Sequence, residues 1–359
     1  MVADTRFELP PFYCPIDSAI HPDVGDIEKR ATDWIDRVGI YDSDARRAWV
    51  IATNSAEFYA RFAPDGAADN VLAAAQWVYW GFAFDDVRCD NGPLSSSPGD
   101  FAALAGQVQR ALEAPHSLDT DDPYLTALHD IGLTLRECAT PVQLRRFIDA
   151  HRAWLFGVCW QIGNQANGHM PDLNDYLAMR LGSCGGLPTM ALLEIANAAE
   201  VPPSEMDTHA VRAASEAAIL TAGLDNDLHS YRKEIHQQHA DQNIINVLMV
   251  NHELTLEQAL TQAVGLRDRI MHLYLRLRDK IVPGASPELR TYLTCLGRGI
   301  RGNIDWALRV PRYTSLSDPD EAPGPAGHWT PGWATRPSDT RTEAPALPAI
   351  AWWWDQLAA

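Results

Sequence analysis

Asn226, Ser230 and Glu234 stand four apart within residues 226–234, and on a helix positions i, i+4 and i+8 stack along one face. An amide carbonyl, a hydroxyl and a carboxylate on one stripe form a hard-oxygen donor set. Such a set suits Mg²⁺, whereas zinc and copper favour imidazole or thiolate. Asp227 and His229 fall off that stripe and are expected to meet solvent or neighbouring helices. A second acidic cluster stands far upstream, in Phe84-Asp85-Asp86-Val87-Arg88-Cys89-Asp90. On a helix Asp86 and Asp90 share a face, with Asp85 about 100° away. Like charges this close repel unless a cation joins them. An Asp-Asp pair alone is more often a solvated helix end. Two unlike acidic motifs on two helices instead describe a clamp for metal ions around a diphosphate.

Helices must carry these motifs, and helical periods dominate from about residue 44 to 310. The spacing predicts helices over 45–62, 70–87, 100–113, 141–167, 172–181, 187–199 and 206–236, and again over 241–251, 254–282 and 287–308. Breaks fall at Pro64 and Gly66, Pro98-Gly99, Pro202-Pro203, Pro283-Gly284 and Pro311. No alternation of period two appears between them, so the expected fold class is all-α. An almost wholly apolar run, 73–84, precedes Asp85 and places the acids at the end of a buried helix.

Composition changes after about Ser317. Residues 318–348 carry seven prolines and no apolar period, which predicts a poorly ordered tail over 318–359 behind a catalytic domain of 1–317. Trp352-Trp353-Trp354 is too apolar for a purely solvated end, and docking and a floppy end are both open.

A chain of 359 residues with 46% hydrophobic composition can bury a large core. Its net charge of −18 argues against a nucleic acid or an anionic membrane surface as partner. No run of about 18 apolar residues predicts membrane insertion, and residues 1–14 lack the basic and apolar regions of a signal peptide. Six cysteines without C-x-x-C pairs read as reduced cytoplasmic thiols.

An Asp-rich motif paired with Asn-Asp-Leu-x-Ser-x-x-x-Glu resembles the class I terpene synthases, particularly the bacterial diterpene cyclases. Arg180 stands 46 positions before Asn226, where that family carries a diphosphate-sensing arginine. Arg312-Tyr313 matches the pair that closes its catalytic domain, and Trp306 matches a tryptophan six positions earlier. These landmarks span roughly residues 12–313. Two departures accompany them: Cys89 occupies the usual last acidic position, leaving the acid at Asp90, and the spacing does not choose among Ser183, Cys184 and Gly185 for the family's effector carbonyl.

The resemblance implies an α-helical bundle enclosing a central apolar cavity, and three Mg²⁺ ions. Asp85 or Asp86, with Asp90 a further candidate, would hold two of them, and Asn226, Ser230 and Glu234 the third. Arg180, Lys233, Arg312 and Tyr313 would donate hydrogen bonds to the departing diphosphate. Phe58, Tyr79, Phe82 and Trp306 would face the carbocation, with Tyr79, Phe82 and Asp85 taken as one stripe at three-residue steps. Trp160 is a weaker candidate, since aromatic stripes at helical spacing are usually core. The implied activity is cyclisation of a linear isoprenyl diphosphate, C20 geranylgeranyl diphosphate before C15 farnesyl diphosphate, by an enzyme whose relatives commonly form homodimers. A chain-elongating prenyltransferase would carry a second Asp-rich motif at 226–234. A non-catalytic isoprenoid-binding helical module would not need the complete set of basic residues.

Overall fold

The computed structural model describes residues 9–90, 92–115, 120–237, 242–317, 321–324 and 332–358. In chain order these form α1 (Val24–Val38), α2 (Asp44–Ala52), α3 (Ser55–Phe62), α4 (Ala68–Phe84), α5 (Pro98–Glu113) and α6 (Pro123–Cys138). There follow α7 (Pro141–Ala166), α8 (Leu173–Ser183), α9 (Gly186–Ala196), α10 (Pro203–Met206) and α11 (His209–Gln237). The last are α12 (Ile244–His252), α13 (Leu256–Ile281), α14 (Pro287–Ala307), α15 (Pro311–Thr314) and α16 (Pro348–Ala358). Two short strands, β1 (Phe12–Tyr13) and β2 (Trp333–Ala334), pair in parallel. The fold is all-α, as the sequence predicts.

Local chemistry accounts for many boundaries. Thr140 caps α7 through a reciprocal box with Gln143, Pro141 following at the first helical position, and Thr255 and Gln258 do the same for α13. The helix α4 is apolar on every side and nearly all buried, the pattern of a central core helix. It packs against α1, α3, α6 and α9, while α11 packs against α8, α9, α13 and α14. The two motif-bearing helices therefore lie in one bundle.

Three expectations need correcting. The single helix over 45–62 is two, because Asn54 adopts φ 47° and turns the chain between α2 and α3. Helices α1 and α6 lie outside every predicted segment, although α1 buries Ile27, Ala31, Trp34 and Ile35 on one stripe. The C-terminal segment is not loose over its described residues. Its β2 pairs with β1, Ser338 donates to Asp268, and α16 packs on α8, α11 and α13. Trp353 is fully buried with its Nε1–H donating to Glu216 at 2.8 Å, and Arg212 and Arg269 lie over Trp352 and Trp354. Burying aromatic area outweighs the proline content that suggested disorder. Residues 332–358 thus pack on the bundle, while part of the predicted tail lies outside the described residues.

One buried group in the core carries a pH consequence. His151 on α7 sits among Trp77, Trp80, Phe147 and Trp154, its Nδ1 meeting Gln109 at 3.1 Å. Burial pushes its imidazole from the ordinary 6.5 down to about 3. Below the ordinary value the unfolded chain takes a proton that the folded chain refuses. Stability is therefore full above that pH and falls as pH drops towards the folded value. Melting at pH 5 rather than pH 7 is expected to show a loss of roughly 2 kcal/mol from this group. His229, held at about 4 mainly by burial, adds to the loss with the same sign. His151→Gln should remove its share, and an unaltered acid profile in that variant would count against the assignment.

Candidate active site

A cavity of about 260 Å³ opens between α4, α7, α8, α9, α11 and α14. At its mouth the end of α4 widens into a π-turn, Asp85–Cys89, with the Asp90 amide donating to the Asp85 carbonyl at 2.9 Å. Such turns interrupt α-helices at functional sites. Here Asp85, Asp86 and Asp90 all line the mouth. Asn226, Ser230 and Glu234 line it from α11, and the Ser230 hydroxyl donates to Glu234. Asn243 supports Glu234 from behind at 3.0 Å.

The predicted basic residues face these acids. Arg312 pairs with Asp86 at 2.5 Å and lies 3.9 Å from Asp85. Arg180 donates to Asn226 Oδ1 and pairs with Asp227, each at 2.7 Å, while Asn226 Nδ2 donates to the Tyr313 hydroxyl at 2.6 Å. Lys233 lines the same mouth. Asp227 thus serves neighbouring helices, also accepting from the Tyr176 hydroxyl, and His229 meets the Asp225 carbonyl.

Burial raises Asp85 well above the ordinary carboxylate range, reinforced by Asp90. Asp90 is raised by burial and by Asp86. Burial also opposes ionisation of Asp86, but Arg312 and Lys233 overcome it and leave that group below the ordinary range. Glu234 is pushed up to about 7 by burial, and its hydrogen bond from Ser230 offsets only part of that. Burial and the nearby Arg312 draw Lys233 down. Burial is thus the largest influence on Asp85, Asp90 and Glu234, and holds them towards the neutral form. Among the described residues no three His, Cys, Asp or Glu side chains converge as a ready-made cage; the oxygen donors are divided between two walls.

Below the mouth the walls are aromatic. Phe58 and Phe82 line the cavity with ring centroids 6.0 Å apart. Trp306 does not line it. This ring stacks behind Phe82 at 5.3 Å, meets Phe58 edge-on at 4.8 Å, and donates to the Thr53 carbonyl at 2.7 Å. Tyr79 is also displaced from the predicted role, its hydroxyl donating to Glu28 on α1 at 2.6 Å. The reason is geometric. Three-residue steps drift about 60° each, so Tyr79 lies about 120° from Asp85, whereas four-residue steps drift about 40° the other way. The lining stripe of α4 accordingly runs through Trp77, Val78, Gly81 and Phe82. Trp160 is on the outside, 37% exposed. Phe82→Ala is expected to retain diphosphate release while diverting most product to earlier-terminated skeletons, read by gas chromatography–mass spectrometry. A wild-type profile would leave Phe82 as ordinary core.

Ser183, Cys184 and Gly185 all line the cavity at the break between α8 and α9. Gly185 takes φ 71°, a left-handed conformation that glycine adopts without strain. On α7, a Cβ at Gly157 would lie 2.6 Å from Gly182 C and Ser183 N, so only glycine lets α7 brace the break. Sequence reasoning missed Arg46, Trp49, Trp77, Trp154, Thr189 and Asn303, which also line the cavity. Four-residue spacing from Gly81 could have found Trp77. For Arg46 and Trp49, brought in by the α2–α3 turn, no local signal exists.

Comparison with known proteins shows the family. Residues 76–272 match the family described as terpene synthase family 2, C-terminal metal binding. The chain belongs to terpene synthase family 2. It is 50% identical over 352 residues to spiroviolene synthase from Streptomyces violens, covering 98% of this chain and 97% of that one. The crystal structure of the SVS_A2 protein from ancestral sequence reconstruction superposes with a TM-score of 0.87 at 54% identity, over 98% of this chain and 100% of that one. (+)-T-muurolol synthase from Streptomyces clavuligerus, named as farnesyl diphosphate cyclizing, is 32% identical over 96% of this chain and 81% of its own length. Diterpene cyclase DtcycB from a Streptomyces species is 30% identical over 98% of this chain and 100% of its own. The synthase is thus an enzyme of the class I terpene synthases, all-helical, with a metal-binding domain. No helix among its described residues is long and apolar enough to cross a membrane.

Proposed function

We propose that the synthase ionises geranylgeranyl diphosphate in the presence of Mg²⁺ and cyclises the resulting cation to a polycyclic diterpene, ending by deprotonation or water capture. The observation that carries this reading is the facing of two oxygen-rich motifs across the mouth of one aromatic cavity. The donor set fits Mg²⁺, being all oxygen, with Ser230 and Glu234 already in contact and the Glu234 carboxyl pushed up by burial. Asp85, Asp86 and Asp90 on one wall, and Asn226, Ser230 and Glu234 on the other, would hold three ions. Bound there, Mg²⁺ would supply Lewis-acid neutralisation of the leaving diphosphate. Arg180, Lys233, Arg312 and Tyr313 bind the diphosphate oxygens, arginine meeting two at once through its planar fork. Phe58 and Phe82 face the cation with their ring electrons, and the apolar wall excludes the water that would quench it. Gly81 lines that wall beside Phe82, where a Cβ would meet only Trp77 at 4.0 Å, and the room it leaves is compatible with a C20 chain.

The likeness to a farnesyl diphosphate-cyclizing relative favours a C15 substrate as the second reading. Incubation with Mg²⁺ and, separately, the C10, C15, C20 and C25 diphosphates, read by gas chromatography–mass spectrometry, tests both. The C20 diphosphate is expected to yield a cyclic hydrocarbon or alcohol. A product from the C15 diphosphate alone transfers the proposal to that chain. A longer chain on addition of isopentenyl diphosphate would reveal an elongase, and no diphosphate release from any of them would end the catalytic reading.

A further inference from the structure

We infer that Asn303 is a specificity-determining residue of this cavity, its amide oxygen setting where positive charge rests in the cyclising cation. This inference rests on the cyclase reading above. Asn303 lies on α14, nine residues before Arg312, lines the cavity and is 7% exposed. Its Nδ2 donates to the Ala222 carbonyl on α11 at 3.3 Å. The amide cannot be turned over there, because two carbonyl oxygens would then face each other. Oδ1 is consequently aimed away from α11. Among the described residues no donor meets it, yet it is not sealed off as a buried orphan atom. On a side chain this buried, the surface that Oδ1 keeps is cavity surface.

Close packing holds the amide in that position. A Cβ at Gly302 would come within 2.7 Å of Arg61 Cβ, and one at Gly299 within 3.1 Å of Phe62 and Met190. These glycines press α14 onto α3 and α9 and fix the neighbouring turn that carries Asn303. Phe62, Met190 and Ile219, which line the cavity with it, offer no oxygen. An unmatched acceptor in an apolar wall costs stability unless a ligand uses it. Aromatic rings attract a passing cation diffusely, whereas an amide oxygen presents a localised negative end whose pull is strong in a dry site. The amide forms no bond and takes no proton. It lowers the barrier of the route that brings charge beside it relative to competing routes.

The test pairs Asn303→Leu, which keeps the bulk and removes the dipole, with Asn303→Ala in case the leucine does not fold. Each is assayed with the wild-type synthase and Mg²⁺ for diphosphate release, product profile and melting temperature. The expected result is diphosphate release within about threefold of wild type, with the main wild-type product reduced about tenfold relative to earlier-terminated products, as a barrier difference of ~1.4 kcal/mol would produce. An unchanged profile in a folded variant overturns the inference alone. So does a fall in melting temperature and diphosphate release together with an unchanged product ratio, the pattern of a purely structural role. Wild-type protein that releases no diphosphate overturns the cyclase reading and this inference with it.

Discussion

Glu234→Ala and Asn226→Ala are each expected to lower Mg²⁺-dependent turnover by about a thousandfold, equivalent to ~4 kcal/mol of lost transition-state stabilisation. Helicity by circular dichroism should stay native. Glu234 supplies the only full negative charge of its stripe, and Ser230 and Asn243 hold its two oxygens in place. Asn226 is the hub of the opposite contacts: its oxygen accepts from Arg180 and its nitrogen donates to Tyr313. Its removal takes away a donor and loosens Arg180 and Tyr313, the two side chains proposed to bind the diphosphate. Because burial pushes the Glu234 carboxyl up to about 7, a cation must displace a proton below that pH. The Mg²⁺ concentration for half-maximal activity should therefore rise about tenfold per unit as pH falls below 7, and Glu234→Gln should lessen that dependence, the remainder coming from Asp85 and Asp90, which burial raises as well. Steady-state diphosphate release checks all of this, and undiminished turnover in either alanine variant would remove the metal clamp from the proposed function.

Arg312→Ala should lower kcat/KM by about two to three orders of magnitude, the range seen when one preorganised donor to a developing anion is removed. Arg312 pairs with Asp86, approaches Asp85, and lies with its guanidinium 4.6 Å over the Phe82 ring. One side chain thus joins the acidic mouth to the aromatic wall, beside the proposed diphosphate position. Arg312→Lys should restore only a small part of the loss, because an ammonium is a point charge without the planar fork. Kinetics with the preferred diphosphate decide the matter. Full recovery in the lysine variant would reduce Arg312 to a source of charge, and wild-type kcat/KM in the alanine variant would remove it from the site.

Much of this site is legible without a structure because its chemistry is written at helical spacing. Asn226, Ser230 and Glu234 line one cavity wall, as their four-residue steps require. Spacing at three residues puts Tyr79 on the wrong side of α4, because the angular drift accumulates away from Asp85. Trp306 shows a different failure. Its position relative to Arg312-Tyr313 is plain in the sequence, but whether a ring touches a cavity or backs another ring depends on the neighbouring Phe58 and Phe82. The Trp-rich end misleads in the opposite direction, since prolines suggest disorder while the partners of Trp353 and Trp354 come from α11 and α13.

By itself the sequence determined the all-α class, the two acidic motifs proposed to hold metal, the basic residues that accompany them and the family to which the chain belongs. Helix periodicity is local, so it tells which side chains share a face. Only the tertiary structure decided which faces meet: the π-turn that brings Asp90 to the mouth with Asp85 and Asp86, the Gly157 contact that braces the α8–α9 break, the docking of α16, and the aim of Asn303. Each depends on burial between segments far apart in the chain, and no local period encodes a partner more than a few turns away.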